Sequence, residues 1–213
     1  MDKKGRAPMF GGDCSDSYVT NYLRSHEDTM SQSYRFDYAE NLLVDALFEE
    51  YTLLYVGCGT GGFLRLHPRA KLVHGIDYSP KMIEACNTLI ERFAMNNVEA
   101  TLADFASFSP DRQYDIVQTA GVHGSYLPHT EEALQKVHAL LKPGGFGLFS
   151  LTAPPRTASH CWKRCKAWLR RKPLIEIHPD RFRRMLARTG FVVRLELKKG
   201  ERPDRFFLLC QKG

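Results

Sequence analysis

A glycine-rich turn is the segment whose residue types most directly indicate chemistry. An apolar run, Leu53–Val56, leads straight into Gly57–Gly61, whose first, third and fifth residues are glycine, and a helix is expected to follow. Glycines at such a turn allow positive φ and let backbone N–H groups approach a ligand with no Cβ in the way. The turn therefore predicts a binding site for a large polar ligand.

Two carboxylates follow at the ends of the next two apolar runs. Asp77 comes twenty residues after Gly57, where a carboxylate can accept both hydroxyl hydrogens of a ribose. Asp104 ends the following run beside Phe105, and an acid with an aromatic ring could bind the exocyclic amine and the face of an adenine. The turn and the two acids together predict a nucleoside cofactor.

The elements that must position these residues alternate along the chain. From residue 52 onward, apolar β-rich runs alternate with stretches of helical periodicity, which is typical of βαβ units around a mostly parallel sheet. The predicted strands are residues 52–56, 71–76, 98–103, 114–119, 146–151, 191–197 and 205–211. The turn and both acids fall at carboxyl ends of strands, the edge where open α/β sheets bind ligands.

The predicted helices carry recognisable start and stop signals. They span residues 34–50, 79–95, 130–141 and 179–188, with a further short basic helix inside 161–172. Ser79 and Thr130 are expected N-caps, and Pro143-Gly144-Gly145 is the expected stop of the third helix. We expect residues 1–50 to form a helical extension or lid, and residues 51–213 the core, with an insertion at 152–178.

Composition places the chain among ordinary globular proteins. It has 213 residues, of which 43% are hydrophobic and 25% charged, so collagen-like, coiled-coil and disordered classes are excluded. No window approaches the ~18 apolar residues of a membrane helix, and the start lacks the apolar stretch of a signal peptide. We therefore expect a cytoplasmic protein without a membrane partner; the sequence does not indicate its oligomeric state.

The six cysteines predict neither a disulfide framework nor a metal centre. They are scattered along a chain of this size, so reduced thiols are expected. Cys161 and Cys165 would share a helix face beside His160, but a closed zinc site needs four ligands and no second cluster supplies them.

Positive charge is concentrated in the last third of the chain. The formal balance of Lys and Arg against Asp and Glu is −6 over residues 1–150 and +12 over residues 151–213. Such a skew attracts an acidic small molecule, a nucleic acid or an anionic surface, although a solvated face is an equal alternative.

A basic run at residues 156–172 carries seven of these cations, two tryptophans and no acid. It fits either a phosphate groove with aromatic platforms or a lid helix that packs on the sheet edge. We favour the lid helix, because Trp162, Cys165 and Leu169 would share one helical face.

The identity of the cofactor is not decided by the glycines alone. Gly57, Gly59 and Gly62 also satisfy the dinucleotide fingerprint G-x-G-x-x-G, so a nicotinamide cofactor stays open at this point. The additional Gly61, the long helical extension, the acid after the third strand and the terminal pair of strands favour S-adenosylmethionine (SAM).

Four motifs resemble, in order, those of the class I SAM-dependent methyltransferases, of the small-molecule kind with type 11 or type 25 domains. They are Val56-Gly57-Cys58-Gly59-Thr60-Gly61, Gly75-Ile76-Asp77-Tyr78-Ser79-Pro80-Lys81-Met82, Tyr114-Asp115-Ile116-Val117 and Leu140-Leu141-Lys142-Pro143-Gly144-Gly145. The resemblance implies a seven-stranded Rossmann-like sheet of order 3-2-1-4-5-7-6, in which only strand seven is antiparallel, with helices on both faces and an N-terminal helical lid.

The resemblance also implies a set of cofactor-binding residues. They are Gly57, Cys58, Gly59, Thr60, Gly61, Asp77, Tyr78, Met82, Asp104, Phe105 and Ala120. One position departs from the family pattern D-x-G-x-G-x-G, because Tyr55 stands where an acid commonly helps to orient the methionine end of the cofactor. A phenol could replace that acid by hydrogen bonding or could simply pack, and we favour packing.

By resemblance, the loop after strand four borders the site of methyl transfer. In-line displacement requires a nucleophile held about 3 Å from the methyl carbon, and a general base assists a hydroxyl or ammonium acceptor. His123 and Tyr126, in this loop, are the catalytic candidates. Candidate substrate residues are Tyr18, Tyr22, Tyr34, Arg35 and His178.

The sequence thus predicts a SAM-dependent methyltransferase that acts on a small-molecule acceptor and releases S-adenosylhomocysteine (SAH). The acceptor atom is oxygen or nitrogen, with sulfur as a further option, and an anionic acceptor is favoured. The alternatives are an RNA or protein methyltransferase that uses residues 156–172, non-methyl SAM chemistry on the same fold, and a SAM-binding domain without transfer activity. A nicotinamide oxidoreductase is disfavoured by the motif set.

Overall fold

The computed structural model describes residues 15–17, 19–21, 35–119, 122, 127–153, 176–198 and 205–213. Within these ranges, seven strands form one sheet in the order β3-β2-β1-β4-β5-β7-β6, which is the order that the family resemblance implied. The strands are β1 Thr52–Val56, β2 Leu72–Asp77, β3 Val98–Leu102, β4 Tyr114–Gln118, β5 Leu141–Thr152, β6 Phe191–Lys198 and β7 Arg205–Lys212. Six of the seven agree with the predicted bounds to within one residue at each end.

The direction of the strands follows from the length of their connections. The pairs β1–β2, β2–β3, β1–β4 and β4–β5 are parallel, whereas β7 runs antiparallel to both β5 and β6. Parallel neighbours need a crossover connection, while β6 and β7 are close enough in sequence to pair as a hairpin. The carboxyl ends of β1 to β5 consequently meet at one edge of the sheet.

In the part of the chain that the structure describes, four helices cover the sheet: α1 Arg35–Leu47, α2 Pro80–Arg92, α3 Glu131–Leu140 and α4 Pro179–Arg188. Ser79 and Thr130 cap α2 and α3 as predicted, because their hydroxyls accept bonds from the backbone N–H groups of Met82 and Ala133. Residues 16–17 and 19–21 are also helical. Within the described ranges, no helix combines the length and apolar character needed to cross a membrane.

Two predicted helices end earlier than their periodicity suggested. We expected α1 to reach residue 50 and α2 to reach residue 95, but they stop at Leu47 and Arg92. A residue with positive φ follows each end, Glu50 at 51° and Ala94 at 47°. Left-handed backbone cannot continue a right-handed helix, so these residues turn the chain into the next strand.

Two further predictions around the sheet are wrong. Strand β5 begins at Leu141, directly after α3, and Pro143-Gly144-Gly145 lies inside the strand rather than acting as a helix stop. A register shift against β4 and the φ of 73° at Gly144 mark a bulge there, which tolerates a proline without N–H.

The helix expected after the glycine turn is only a single 3-10 turn, Leu64–Leu66. His67 leaves the helical region with φ −120° and ψ 55°. Pro68 follows it, and proline disfavours helical backbone in the preceding residue.

The core lies on both faces of the sheet. On one face, α3 and α4 pack Leu134 and Phe182 against strand residues such as Phe149. On the other, Val44 of α1 and Ile83 of α2 pack in a second buried cluster with alternate residues of the same strands. This is the three-layer α/β/α architecture that the resemblance implied.

A buried polar network fastens α1 to the sheet. The Tyr51 hydroxyl lies 2.8 Å from both Asp45 Oδ1 of α1 and His67 Nδ1. His67 Nε2 donates to Asn41 Oδ1 of α1 at 2.9 Å. Burial lowers the pKa of His67 to about 4, so the imidazole is neutral in the folded protein near neutral pH.

We predict that acidification weakens the fold through His67. Its pKa falls from 6.5 to about 4 on folding, so the unfolded chain binds the proton more tightly, and stability declines as pH falls through that window. The contribution is at most about 3 kcal/mol at 1.36 kcal/mol per pKa unit. Urea unfolding at pH 7.5 and pH 4.5 should show a shallower decline for His67→Gln than for the parent; parallel declines would refute the assignment.

Candidate functional site

The glycine turn has the backbone conformation that its sequence predicted. The φ angles are 73° at Gly57, 55° at Gly59 and 79° at Gly61. The N–H groups of Gly57 and Cys58 both donate to the carbonyl of Ile76 in β2, at 2.8 and 3.0 Å. The turn is therefore fixed to the carboxyl end of β2.

Space, as well as φ, requires glycine at two positions. A Cβ on Gly57 would lie 2.2 Å from Val122 Cγ1, and a Cβ on Gly61 would lie 2.5 Å from Cys86 Sγ. Val122 belongs to the loop after β4, and Cys86 lies on α2. The turn thus makes close contact with the elements on either side of it.

Asp77 links the turn to the start of α2. Its Oδ2 accepts a bond from the Gly59 N–H and its Oδ1 accepts one from the Ser79 N–H, each at 3.0 Å. Burial raises the pKa of Asp77, and the N–H donors of Ser79, Gly59 and Tyr78 oppose that rise. A carboxylate offers about four acceptor positions, so with three N–H donors in place about one remains for a hydroxyl donor of a ligand.

Asp104 and Phe105 stand at the carboxyl end of β3, one strand beyond Asp77. Asp104 is exposed, and its Oδ1 accepts a bond from the Ala106 N–H at 3.0 Å. The Phe105 ring is half-buried against the core, and Lys136 Nζ lies 5.3 Å from its centroid. A cation therefore already occupies one face of the ring, and contact with an adenine stays a prediction.

The side chains of the other predicted cofactor residues differ in how deeply they are buried. The side chains of Cys58 and Met82 are buried, and the Cys58 thiol donates to the Gly59 carbonyl at 3.7 Å. The neighbouring Cys86 thiol and burial hold the pKa of Cys58 well above its ordinary range, so the thiol stays protonated. Thr60 is fully buried and its Oγ1 has no hydrogen-bond partner within the described ranges, whereas Tyr78 is half-buried.

Tyr55 is packed in the core. It is 3% exposed and lies in the core cluster beneath α1. Burial raises the pKa of its hydroxyl, and the negative charges of Asp37 and Glu40 raise it further. The packing that we favoured is thus present.

Three further polar side chains lie beside Tyr55, and sequence reasoning missed them. Gln118, the last residue of β4, is fully buried, and its Nε2 donates to Asn41 Oδ1 at 3.2 Å. Glu40 of α1 is 5% exposed and accepts a bond from Ser150 Oγ of β5 at 3.3 Å. A glutamine and a serine in otherwise apolar strands were the available signal.

His178 lies at the same edge of the sheet. It is 53% exposed on its side chain, and its Nδ1 is 3.5 Å from Asp180 Oδ2. The adjoining Ile177 N–H donates to the Thr152 carbonyl at the end of β5, which sets this position. A substrate contact from His178 stays a prediction.

Several predicted residues lie outside the described ranges, so their roles stay predictions. They are Ala120, His123, Tyr126, Tyr18, Tyr22, Tyr34, the side chain of Arg35 and the basic run at residues 156–172. In the part of the chain that is described, no three His, Cys, Asp or Glu side chains are grouped to hold a metal ion.

Comparison with known proteins agrees with this arrangement. Residues 53–145, from β1 into the first part of β5, match the family described as a methyltransferase domain. The match therefore contains the glycine turn, both carboxylates and the loop after β4.

Solved structures share the fold at low identity. Magnesium protoporphyrin IX methyltransferase of Synechocystis PCC 6803, with bound SAH, has TM-score 0.65 and 19% identity over 95% of this chain and 90% of that one. N-methyltransferase NodS of Bradyrhizobium japonicum WM9, also with SAH, has TM-score 0.65 and 16% identity over 92% and 99%. A SAM-dependent methyltransferase of Aquifex aeolicus has TM-score 0.67 and 15% identity over 94% and 100%.

We predict that Gly57→Ala weakens SAH binding at least tenfold in calorimetry. The new Cβ meets Val122, and left-handed backbone costs a non-glycine residue about 1–2 kcal/mol. Gly62→Ala is the matched control, because Gly62 lies in the same turn without positive φ. Equal losses of SAH affinity in the two variants would show that the backbone conformation at Gly57 does not determine SAH binding.

Proposed function

We propose that the chain is a class I SAM-dependent methyltransferase that methylates a small-molecule acceptor at oxygen or nitrogen, because residues 53–145 match the family described as a methyltransferase domain. The observation that carries the proposal is the sheet edge itself, where the glycine turn, Asp77 and the end of β4 come together. Two structural neighbours support the choice of acceptor class, since their names give an N-methyltransferase and a methyltransferase of magnesium protoporphyrin IX.

The residues at this edge fit the cofactor. Gly59, at positive φ, presents backbone that carries no side chain, and Asp77 retains acceptor capacity for a ligand hydroxyl. Within the described ranges, the buried Thr60 Oγ1 and Gln118 Oε1 have no hydrogen-bond partner, and buried polar atoms are normally satisfied. When bound, SAM supplies a methyl group already activated by its sulfonium.

The task of the protein is then chiefly to position two molecules. We assign ribose binding to Asp77 and adenine binding to Asp104 and Phe105, which follow the order of β2 and β3 in the sheet. The loop that Ala120 begins follows the end of β4 and would face the reacting methyl group. Holding the reactants in line replaces a bimolecular encounter and can supply several kcal/mol of the barrier reduction.

His123 and Tyr126 are the proposed proton acceptor and its partner in the loop after β4. Val122, directly before His123, contacts Gly57, which supports a position of this loop beside the cofactor turn. A general base at an acceptor hydroxyl or ammonium contributes typically 10²–10⁴-fold to the rate. His178, at the end of β5, would contact the acceptor from the other side.

The charge of residues 151–213 favours an acceptor with a carboxylate or another anionic group, because that part of the chain carries a balance of +12. The same charge supports the alternative, an RNA or protein substrate held by residues 156–172. Seven cations and two tryptophans in that run are the specific observation in its favour.

We predict that Asp77→Asn lowers the affinity for SAH between tenfold and about a hundredfold. Hydrogen bonds to a charged group are worth about 1.5–3 kcal/mol, and the amide offers one acceptor oxygen instead of two. Calorimetry gives the affinity and circular dichroism verifies the fold. Asp104→Asn, measured in the same way, is the comparison variant. An unchanged affinity for SAH in Asp77→Asn would show that Asp77 does not bind the ribose.

We expect labelled methyl groups from SAM to enter small carboxylate-bearing amines or phenols rather than RNA or protein. The enzyme is offered each class in parallel, and KM is followed against salt concentration. Single-stranded RNA contacts give a slope of about −0.7 per neutralised phosphate in log affinity against log salt, whereas a small anion responds weakly. Transfer of labelled methyl groups to RNA, together with a slope of log affinity against log salt steeper than about −3, would establish the alternative of an RNA substrate.

A further inference from the structure

The short turn after β3 carries both residues assigned to the adenine, and it is built around Asp104. The Asp104 carbonyl accepts bonds from the N–H groups of Ser107 and Phe108, at 3.0 and 2.9 Å. The Asp104 Oδ1 accepts the Ala106 N–H at 3.0 Å, so the carboxylate caps its own turn. Its Oδ2 accepts no bond from the residues that the structure describes, and the side chain is exposed.

Lys136 of α3 contacts this turn from the helical layer beside it. Its Nζ donates to the Ala106 carbonyl at 2.8 Å and lies 5.3 Å from the centroid of the Phe105 ring. The negative face of an aromatic ring attracts a cation at such a distance. Burial lowers the pKa of the Lys136 amine, and the negative charge of Asp104 opposes that change. One side chain thus interacts with three consecutive residues of the turn.

Helix α3 is a firm support for these contacts. Thr130 caps its first turn, and Leu134 is fully buried in the core. Phe105 and Phe108 of the turn pack against the same core cluster, whereas Ala106 between them is exposed. The bond from Lys136 to the Ala106 carbonyl is therefore a polar link between a regular element and the exposed side of the turn.

We propose that Lys136 is a positioning residue of the cofactor site, which fixes the turn so that Asp104 Oδ2 meets the exocyclic amine of the adenine. The inference rests on the assignment of the adenine to Asp104 and Phe105 under the proposed function. An amine donates to a carboxylate, whereas hypoxanthine carries a carbonyl at that position, so two acceptors would face each other. Discrimination between the two bases therefore reports the position of Asp104.

The test compares SAH with S-inosylhomocysteine, in which hypoxanthine replaces adenine. In calorimetry, the parent protein should bind SAH about 10- to 100-fold more tightly than this analogue, the range expected for hydrogen bonds to a charged group. Lys136→Met keeps an unbranched apolar side chain without the cation, and it should reduce this preference at least about threefold, through weaker SAH binding. Lys136→Arg restores a cation with N–H donors and should recover most of the preference.

Lys142→Met is the matched control. The Lys142 Nζ lies 2.8 Å from Asp115 Oδ2, and its side chain is 42% exposed. Asp115 belongs to the start of β4, at the opposite edge of the sheet from the turn. This variant removes the same kind of cation without changing the adenine site, so its preference between the two ligands should equal that of the parent. A merely structural contribution of Lys136 would lower the midpoint of thermal unfolding without changing this preference.

The role of Lys136 would be overturned by an unchanged preference in Lys136→Met, or by an equal loss of preference in Lys142→Met. If circular dichroism shows that Lys136→Met does not fold, Lys136→Gln replaces it in the comparison. Glutamine keeps a donor for the Ala106 carbonyl without the charge, so it should lose part of the preference. A full preference in Lys136→Gln would also refute the proposal.

The assignment of the adenine is tested separately with Asp104→Asn, which should lower the preference at least as much as Lys136→Met. If the parent binds SAH and the analogue equally, the adenine assignment and the role of Lys136 both fail, although SAH binding still supports the proposed function. If the parent binds neither ligand, the proposed function itself fails, and the role of Lys136 fails with it. If Asp104→Asn loses the preference and Lys136→Met keeps it, only the role of Lys136 fails.

Discussion

The hydrogen bonds that the Asp77 carboxylate accepts from the Gly59 and Ser79 N–H groups are the constraint on which the site depends. They tie the glycine turn, the end of β2 and the start of α2 to one carboxylate. Burial works against ionisation of that carboxylate, and the N–H donors work for it. The turn therefore has its shape before any ligand arrives, and the same group that shapes it keeps acceptor capacity for a sugar.

Helix α1 has two functions in this arrangement. Its Asp45 and Asn41 belong to the network with Tyr51 and His67, which fixes the helix on the sheet. Its Glu40 and Asn41 reach the polar cluster at the ends of β4 and β5. Helix α1 is thus held to the sheet by two groups of polar contacts, one around Tyr51 and His67 and one at the ends of β4 and β5.

Sequence reasoning was most successful where a single local signal decides the structure. The positive φ angles at Gly57, Gly59 and Gly61 and the helix caps agree with the prediction, whereas the strand order was implied only by the family resemblance. Sequence reasoning was wrong at two places where local patterns did not decide the structure. Strand β5 starts earlier than predicted, and the helix expected after the glycine turn is only a 3-10 turn before Pro68. Glu40 and Gln118 were missed because their proximity depends on how α1 crosses the sheet, and no short-range pattern encodes that crossing.

The contact between Val122 and Gly57 restricts which side chain position 122 can carry. Val122 Cγ1 fills the volume that a Cβ on Gly57 would need, so Val122 and the glycine turn form one closely packed unit. A bulkier side chain at 122 would displace the turn itself. Substitutions at position 122 are therefore coupled to the conformation of the turn.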